Sequence, residues 1–489
     1  MSTLTQRVND GLGTESAESA ASRVESDAIV CVSGFGSVGN PKAVPSALAR
    51  DGRSLSLTII SGGSAGGIID GDLFEANAVA RRYTYQAESA SRRAVNAREV
   101  AFQDRHIGRL GEAVILGELP PPDVAIVEAV AVGDGWFVPS TSLGHVRSFV
   151  EAAETLIVEV NDAQPVELEA FHDIYRVPMP PRDEAIPLFE PAARIGTSTV
   201  TFDPEKLVSV VETNEPDDPY EFRTPRDVDR AIADNLGTFL RAEVERNPAL
   251  SESVRLQFGV GSLGNALMAE LGTVDFGDRD IIYFGEVIQD GLLDLIDADV
   301  LQSASATSLA LSRDGQRRLF DDVDRYASKV VLRPASISNR AELIDRFGVI
   351  AVNSTLEVDL SGHANSTHLN GTDVLNGIGG SGDYCRNGMV SILTLASTTA
   401  GGAISRIVPM VPHVDHTEHD FGVVVTEHGV ADLRRLAPHE RATELIENCA
   451  DPSFVDELTD YVEAATAREG HIPHDLGRAL SWHRNWRGE

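Results

Sequence analysis

Short, nearly continuous apolar runs broken by glycine-rich polar stretches recur along the chain. "AIVCV" (28–32), "SLSLTII" (54–60), "DVAIVEAVAV" (123–132) and "TLIVEV" (155–160) read as parallel strands buried on both faces. "DVDRAIADNLGTFLRAEVER" (227–246) changes to helical periodicity, as do "APHERATELIENC" and "DPSFVDELTDYVEAATAREG" near the end. In the last of these, Asp451 is the expected N-cap and Pro452 the first helical residue. Strands alternating with helices predict an α/β fold built on open, mostly parallel sheets. A length of 489 residues exceeds what one core organises. "EPDDPYEFRTPRD", rich in proline and charge, places the boundary near residue 225, giving domains 1–225 and 226–489.

One strand ending appears twice. Gly34-Phe-Gly36-Ser-Val-Gly39-Asn40 is matched 225 residues later by Gly259-Val-Gly261-Ser-Leu-Gly264-Asn265. That spacing is too long for a solenoid and suits two related domains. Each copy follows an apolar run and precedes a helix, the outline of a dinucleotide-binding turn. The ribose-binding acid expected at the tip of the next strand is missing. "SLSLTII" runs instead into Ser61-Gly62-Gly63-Ser64-Ala65-Gly66-Gly67, and Pro41 and Pro45 crowd the first helix start. An NAD-dependent oxidoreductase is therefore the weaker reading. Amides at such turns still favour any anion or developing oxyanion.

Charge narrows the partners. Asp and Glu total 75 against 41 Lys and Arg, a net charge of −34, and the only lysines are Lys42, Lys206 and Lys329. An acidic surface repels nucleic acid, and the near-absence of lysine points to a salt-rich cytoplasm, as in a halophile. The polar start of the chain has no signal-peptide pattern, and no apolar run approaches a membrane span. Cys31, Cys385 and Cys449 are too far apart in sequence for a disulfide framework or a zinc spacing.

Three stretches could carry chemistry. Residues 281–284 form a strand that ends at Glu286, where open α/β sheets place ligands. "LNGIGGSGDYCRNG" crowds glycines around Asn376 and Gly380, suiting close backbone approach to a ligand or simply a loop. "VPHVDHTEHDFGVVVTEHG" groups His413, His416 and His419 with acids. Pro412 before them and a strand after them argue for an extended run in which the histidines splay apart, so no metal is expected.

These stretches, with "SGFGSVGNPKAVP", "EAVAVGDGWFVPSTSLG", "RIGTSTVTFDPEKLVSVVET", "FGEVIQDGLLDLID" and "LRPASISN", resemble the acetyl-CoA hydrolase/transferase family of class I CoA-transferases over nearly the whole chain. The resemblance implies two similar α/β domains and a homodimer in the cytoplasm. It implies Glu286 as the catalytic nucleophile and the amides of Val260 and Gly380 as oxyanion donors. CoA contacts would come from Gly259, Val260, Gly261, Ser262, Leu263, Leu356, Asn376 and Gly380, and Glu427 would lie near the active site. No cofactor would be tightly bound. Coenzyme A would be substrate and covalent intermediate, passing between short-chain acids such as succinate or propionate and acetate. Hydrolysis at the same site is the nearest alternative, and a CoA-binding sensor without catalysis a more distant one. Two departures stand out: Ala400 where several relatives have lysine, and Gly285 where relatives often have threonine before the nucleophile.

Overall fold

The computed structural model describes residues 6–218, 223–259 and 261–482, without the Ser262 side chain. The described chain forms two compact units, 1–221 with 282–347, and 222–281 with 348–489.

In the first unit, Ala101–Gln103, Val79–Tyr83, Leu57–Ile60, Ile29–Val32, Val124–Gly133, Thr155–Asn161 and Leu207–Thr213 lie side by side in that order, all parallel. Every residue of Val124–Gly133 is buried, as its apolar pattern predicts, including Glu128, the one charged residue in it. Its last residues pair antiparallel with Trp136–Pro139. Strand order reverses beside Ile29–Val32, whose carboxyl end carries the first glycine turn.

Segment 282–347 groups with this unit rather than with the C-terminal half, so the compact units are not contiguous in sequence. The reason is packing that linker composition does not reveal. Val287, Ala310 and Ala335 form a buried cluster with Phe35 and Ile107. Val287–Ile288 pairs with Ser308–Leu309, and Ser142 bridges to Ser308.

In the second unit, Ser253–Phe258, Ile350–Ser354, Val390–Thr394 and Val423–Thr426 are parallel neighbours, with Gly429–Asp432 antiparallel at the edge. Asp227–Arg246 is one helix over the range its periodicity predicts, burying Ile232, Leu236 and Leu240. Pro438–Cys449 and Val455–Thr466 pack over the edge strands. The second begins later than expected. Asp451 accepts from the Ser453 amide (2.9 Å) and hydroxyl, closing a local turn instead of capping a helix at Pro452.

Candidate active site

Strand Asp280–Phe284 is buried from Ile281 onward and delivers Glu286 just past its carboxyl end. The Glu286 main chain is pinned, its carbonyl accepting from the amides of Thr307 (2.7 Å) and Ser308 (3.1 Å). Its partly exposed carboxylate accepts from the Asn339 side-chain amide, Nδ2 to Oε1 at 2.7 Å. A neutral donor on one oxygen fixes the carboxylate's orientation without neutralising it. Sequence reasoning did not single out Asn339, although it ends the quoted "LRPASISN"; the signal was its place in that stretch. Gly285 also has a local reason. The Tyr283 ring folds over it to donate from Oη to the Val287 carbonyl (3.1 Å), and a β-carbon at 285 would overlap that phenol. The chain thus fills with an aromatic ring the space that a side chain at 285 would need.

The support behind Glu286 comes from the first glycine turn. The Leu143 amide donates to the Thr307 carbonyl (2.9 Å), and the Leu309 amide to that of Thr141 (3.0 Å). Ser142, between them, packs directly on Gly39. Thr307 Oγ1 donates to the carbonyl of Arg333 (2.6 Å), a fully buried residue paired with Asp173.

The two glycine turns share a sequence but not a use. In the first, helix Ala43–Ala49 starts several residues after Gly39, and its leading amides are taken. Lys42 N (2.7 Å), Ala43 N (3.0 Å) and Val44 N (2.6 Å) all donate to the buried Glu159 carboxylate. The Gly39 amide donates to Asp217 Oδ1 (3.1 Å), and Lys42 Nζ lies 2.9 Å from the same oxygen while also pairing with Glu128. The anion position of this turn is filled by the protein's own carboxylates, which leaves no seat for a pyrophosphate. In the second turn, helix Ser262–Leu271 begins directly after Gly261, without the intervening residues seen in the first. Gly261 has φ 139°, and a β-carbon there would meet nothing within 4 Å.

Several expected ligand-contacting residues gather at one edge of the second unit's sheet. Gly259 follows Ser253–Phe258, and its amide donates to the Val352 carbonyl (3.0 Å) of the neighbouring strand. Leu356 follows Ile350–Ser354, held by its amide on the Asn365 carbonyl (2.9 Å) and by Arg406 Nε on its own carbonyl (2.5 Å). Arg406 was not foreseen either. Gly380 caps helix Ser381–Asn387, which runs into strand Val390–Thr394; a crossover helix between parallel strands opens at their carboxyl edge. Asn376 lies in the turn leading to it, and Leu263 on the first turn of helix Ser262–Leu271. Glu427, just past Val423–Thr426, accepts from the Ser397 amide and hydroxyl, both at 2.8 Å. Val260 and the Ser262 side chain lie outside the described residues. Ala400 sits in an exposed turn with Gly401 and Gly402.

Other nucleophiles are disfavoured. All three cysteines are buried; burial pushes the Cys385 and Cys449 thiols up to about 12 and the Cys31 thiol well above its usual value. The 413–420 stretch is neither the expected extended run nor a helix but an irregular loop of bends that closes in a turn, with the Asp420 amide on the Thr417 carbonyl (3.0 Å); among the described residues no group of His, Cys, Asp and Glu could hold a metal ion. Among the same residues, no helix is long and apolar enough to cross a membrane.

The chain matches the acetyl-CoA hydrolase/transferase N-terminal domain over residues 13–212 and the corresponding C-terminal domain over 315–462. It is 43% identical over 473 residues to the succinyl-CoA:acetate CoA-transferase of Clostridium kluyveri, covering 96% of this chain and 88% of that one. Identity to the propanoyl-CoA:succinate CoA transferase of Escherichia coli is 39%, covering 96% of each. Among solved structures, RipA from Yersinia pestis shares the fold at TM-score 0.70 and 22% identity, covering 92% of this chain and 97% of that one. With two family domains in their usual order and relatives matched nearly end to end, the chain belongs to the acetyl-CoA hydrolase/transferase family.

Proposed function

We propose that the protein is a CoA-transferase that moves coenzyme A between short-chain carboxylic acids, with Glu286 as the covalent nucleophile. The observation that carries this reading is the Glu286 carboxylate itself: at a strand end, partly exposed, with one oxygen oriented by Asn339 at 2.7 Å. Both relatives described above are named as CoA-transferases, on succinyl-CoA with acetate and on propanoyl-CoA with succinate.

Glu286 attacks the thioester carbonyl of an acyl-CoA. The C–S bond breaks, leaving a mixed anhydride and CoA thiolate. The thiolate adds to the glutamyl carbonyl and expels the first carboxylate, which leaves glutamyl-CoA. An incoming carboxylate reverses both steps. A carboxylate nucleophile suits this chemistry because it forms both an anhydride and a thioester, conserving the acyl activation. Each tetrahedral intermediate carries an oxyanion, for which the Val260 and Gly380 amides are the donors we assign. We assign CoA contacts to residues 259–263, Leu356, Asn376 and Gly380, and read the working form as a cytoplasmic homodimer without a tightly bound cofactor.

The test is incubation with succinyl-CoA alone, followed by borohydride and peptide mass spectrometry. Reduction of Glu286 to the alcohol is expected, and Glu286→Gln should abolish turnover. Near-normal turnover by Glu286→Gln, confirmed free of deamidation, refutes the mechanism. Thiol release equally fast without acetate would make the protein a hydrolase.

A further inference from the structure

The "HVDHTEHD" stretch binds no metal in the reading above, yet its polar side chains are not idle. Asp415 accepts from the Ser366 amide (2.6 Å) and from Thr367 Oγ1 (2.9 Å). Those two residues adjoin Asn365, whose carbonyl receives the Leu356 amide (2.9 Å) and Thr355 Oγ1 (2.8 Å). The backbones of Ala364 and His416 pair in both directions, at 2.8 and 3.0 Å. On the other side, His416 Nε2 lies 3.4 Å from Ser381 Oγ, which itself donates to the Ile378 carbonyl (2.8 Å). Asp420 accepts from Arg386 Nε (3.2 Å), on the helix that Gly380 caps, and from the Thr417 amide (2.8 Å). Glu418 reaches back to His363 (2.8 Å), which also contacts Asp359 (3.2 Å). Of the polar side chains in the stretch, His419 stands furthest into solvent, 81% exposed.

We propose that residues 413–420 form a clamp holding the Leu356 and Gly380 turns in fixed register, with Asp415 and Asp420 as positioning residues. This rests on the reading of Leu356 and Gly380 as CoA contacts and of Gly380 as an oxyanion donor. Asp415 governs the first turn and Asp420 the second. Both carboxylates are largely buried, with side-chain exposures of 9% and 11%. Each joins a backbone amide to a side-chain donor, Ser366 N with Thr367 Oγ1 for Asp415 and Thr417 N with Arg386 Nε for Asp420, so its loss frees more than a single bond. Placement within a fraction of an ångström decides whether an amide stabilises an oxyanion, so loosening the Gly380 turn costs rate.

The test compares Asp415→Ala, Asp420→Ala, their Asn counterparts and His419→Ala in the full-length protein. Asp415→Ala should weaken CoA binding about tenfold by calorimetry while kcat changes little. Asp420→Ala should lower kcat about tenfold, with a smaller loss of CoA affinity than Asp415→Ala shows because Gly380 is one CoA contact among several, and each Asn variant should recover part of the loss. His419→Ala should match the parent. Hydrogen exchange should accelerate at 364–368 in Asp415→Ala and at 376–388 in Asp420→Ala. Unchanged exchange in both segments overturns the clamp. Faster exchange with unaltered affinity and kcat overturns the positioning role. CoA affinity and exchange do not depend on Glu286 chemistry, so failure of the nucleophile assignment would show separately in the borohydride experiment.

Discussion

Replacing Gly39 with alanine tests whether the first glycine turn serves as the foundation of Glu286, the nucleophile proposed above. Gly39 has φ 67°, and a β-carbon there would fall 2.6 Å from Ser142 Cβ and 2.8 Å from its amide nitrogen. Ordinary carbon contacts need about 3.5–4 Å, so the Ser142 backbone would have to retreat by about 1 Å. Left-handed strain costs about 1–2 kcal/mol, and overpacking against backbone adds about 1–3 kcal/mol. Gly36 supplies the control. It has the same φ of 67°, but its nearest neighbour, Ala310 Cβ, would stand 3.5 Å away. Gly36→Ala therefore carries only the strain, about 1–2 kcal/mol. At about 2 °C per kcal/mol for a protein of this size, Gly39→Ala should melt about 2–6 °C below Gly36→Ala. Retreat of Ser142 also shifts the segment that carries Thr307 and Ser308, whose amides pin Glu286. A displacement approaching 1 Å at a nucleophile costs on the order of 100-fold in rate, so Gly39→Ala should lose at least about tenfold in kcat and Gly36→Ala far less. Calorimetric melting and a transferase assay on both variants decide it. Equal melting temperatures, or a lowered one with kcat unchanged, would refute the linkage.

Three further outcomes are expected. Asn339→Ala removes a hydrogen bond to a charged group, about 1.5–3 kcal/mol in general, and should lower kcat about 10- to 100-fold without changing the melting temperature by more than a few degrees; unchanged kcat refutes its role. Burial holds His145 down to about 3, so between the unfolded value near 6.5 and 3 the unfolded chain takes up a proton that the native state refuses, and stability falls as pH falls by up to about 1.4 kcal/mol per unit. His145→Gln should flatten this part of the acid limb, and an identical pH slope in both proteins speaks against it. With a net charge of −34, raising KCl from dilute buffer to molar concentration should raise both melting temperature and activity; full activity and an unchanged melting temperature in dilute buffer contradict the salt reading.

Much of the fold is legible because burial on both faces leaves an unambiguous apolar run. Val124–Gly133, Thr155–Asn161 and Ser253–Phe258 fall where such runs predict, and helix Asp227–Arg246 where its periodicity does. Glu286 is legible as an acid at a strand end. What sequence alone hides is long-range. Asn339 lies 53 residues from the carboxylate it orients, and Glu159 is more than a hundred residues from the amides it caps. The discontinuity of the compact units is hidden for the same reason, since Phe35 packing on Val287 and Ala310 leaves no mark on local composition. The glycine repeat misleads in a different way. Glycine spacing specifies that a turn is tight, whereas the distant carboxylates specify whether it is vacant.

That self-filled turn has a consequence in terms of effective concentration. Glu159 and Asp217 are delivered to their donor amides by the fold, so each competes with free anions as a tethered ligand. Tethering of this kind corresponds to effective concentrations in the millimolar range or above, and a buried carboxylate already in register lies at the favourable end. A metabolite phosphate at cellular levels would have to displace a competitor that never diffuses away. The duplicated motif thus recurs without the same chemistry: in the first copy the amides are saturated by carboxylates of the chain itself and serve rigidity, whatever the repeat of glycines would suggest.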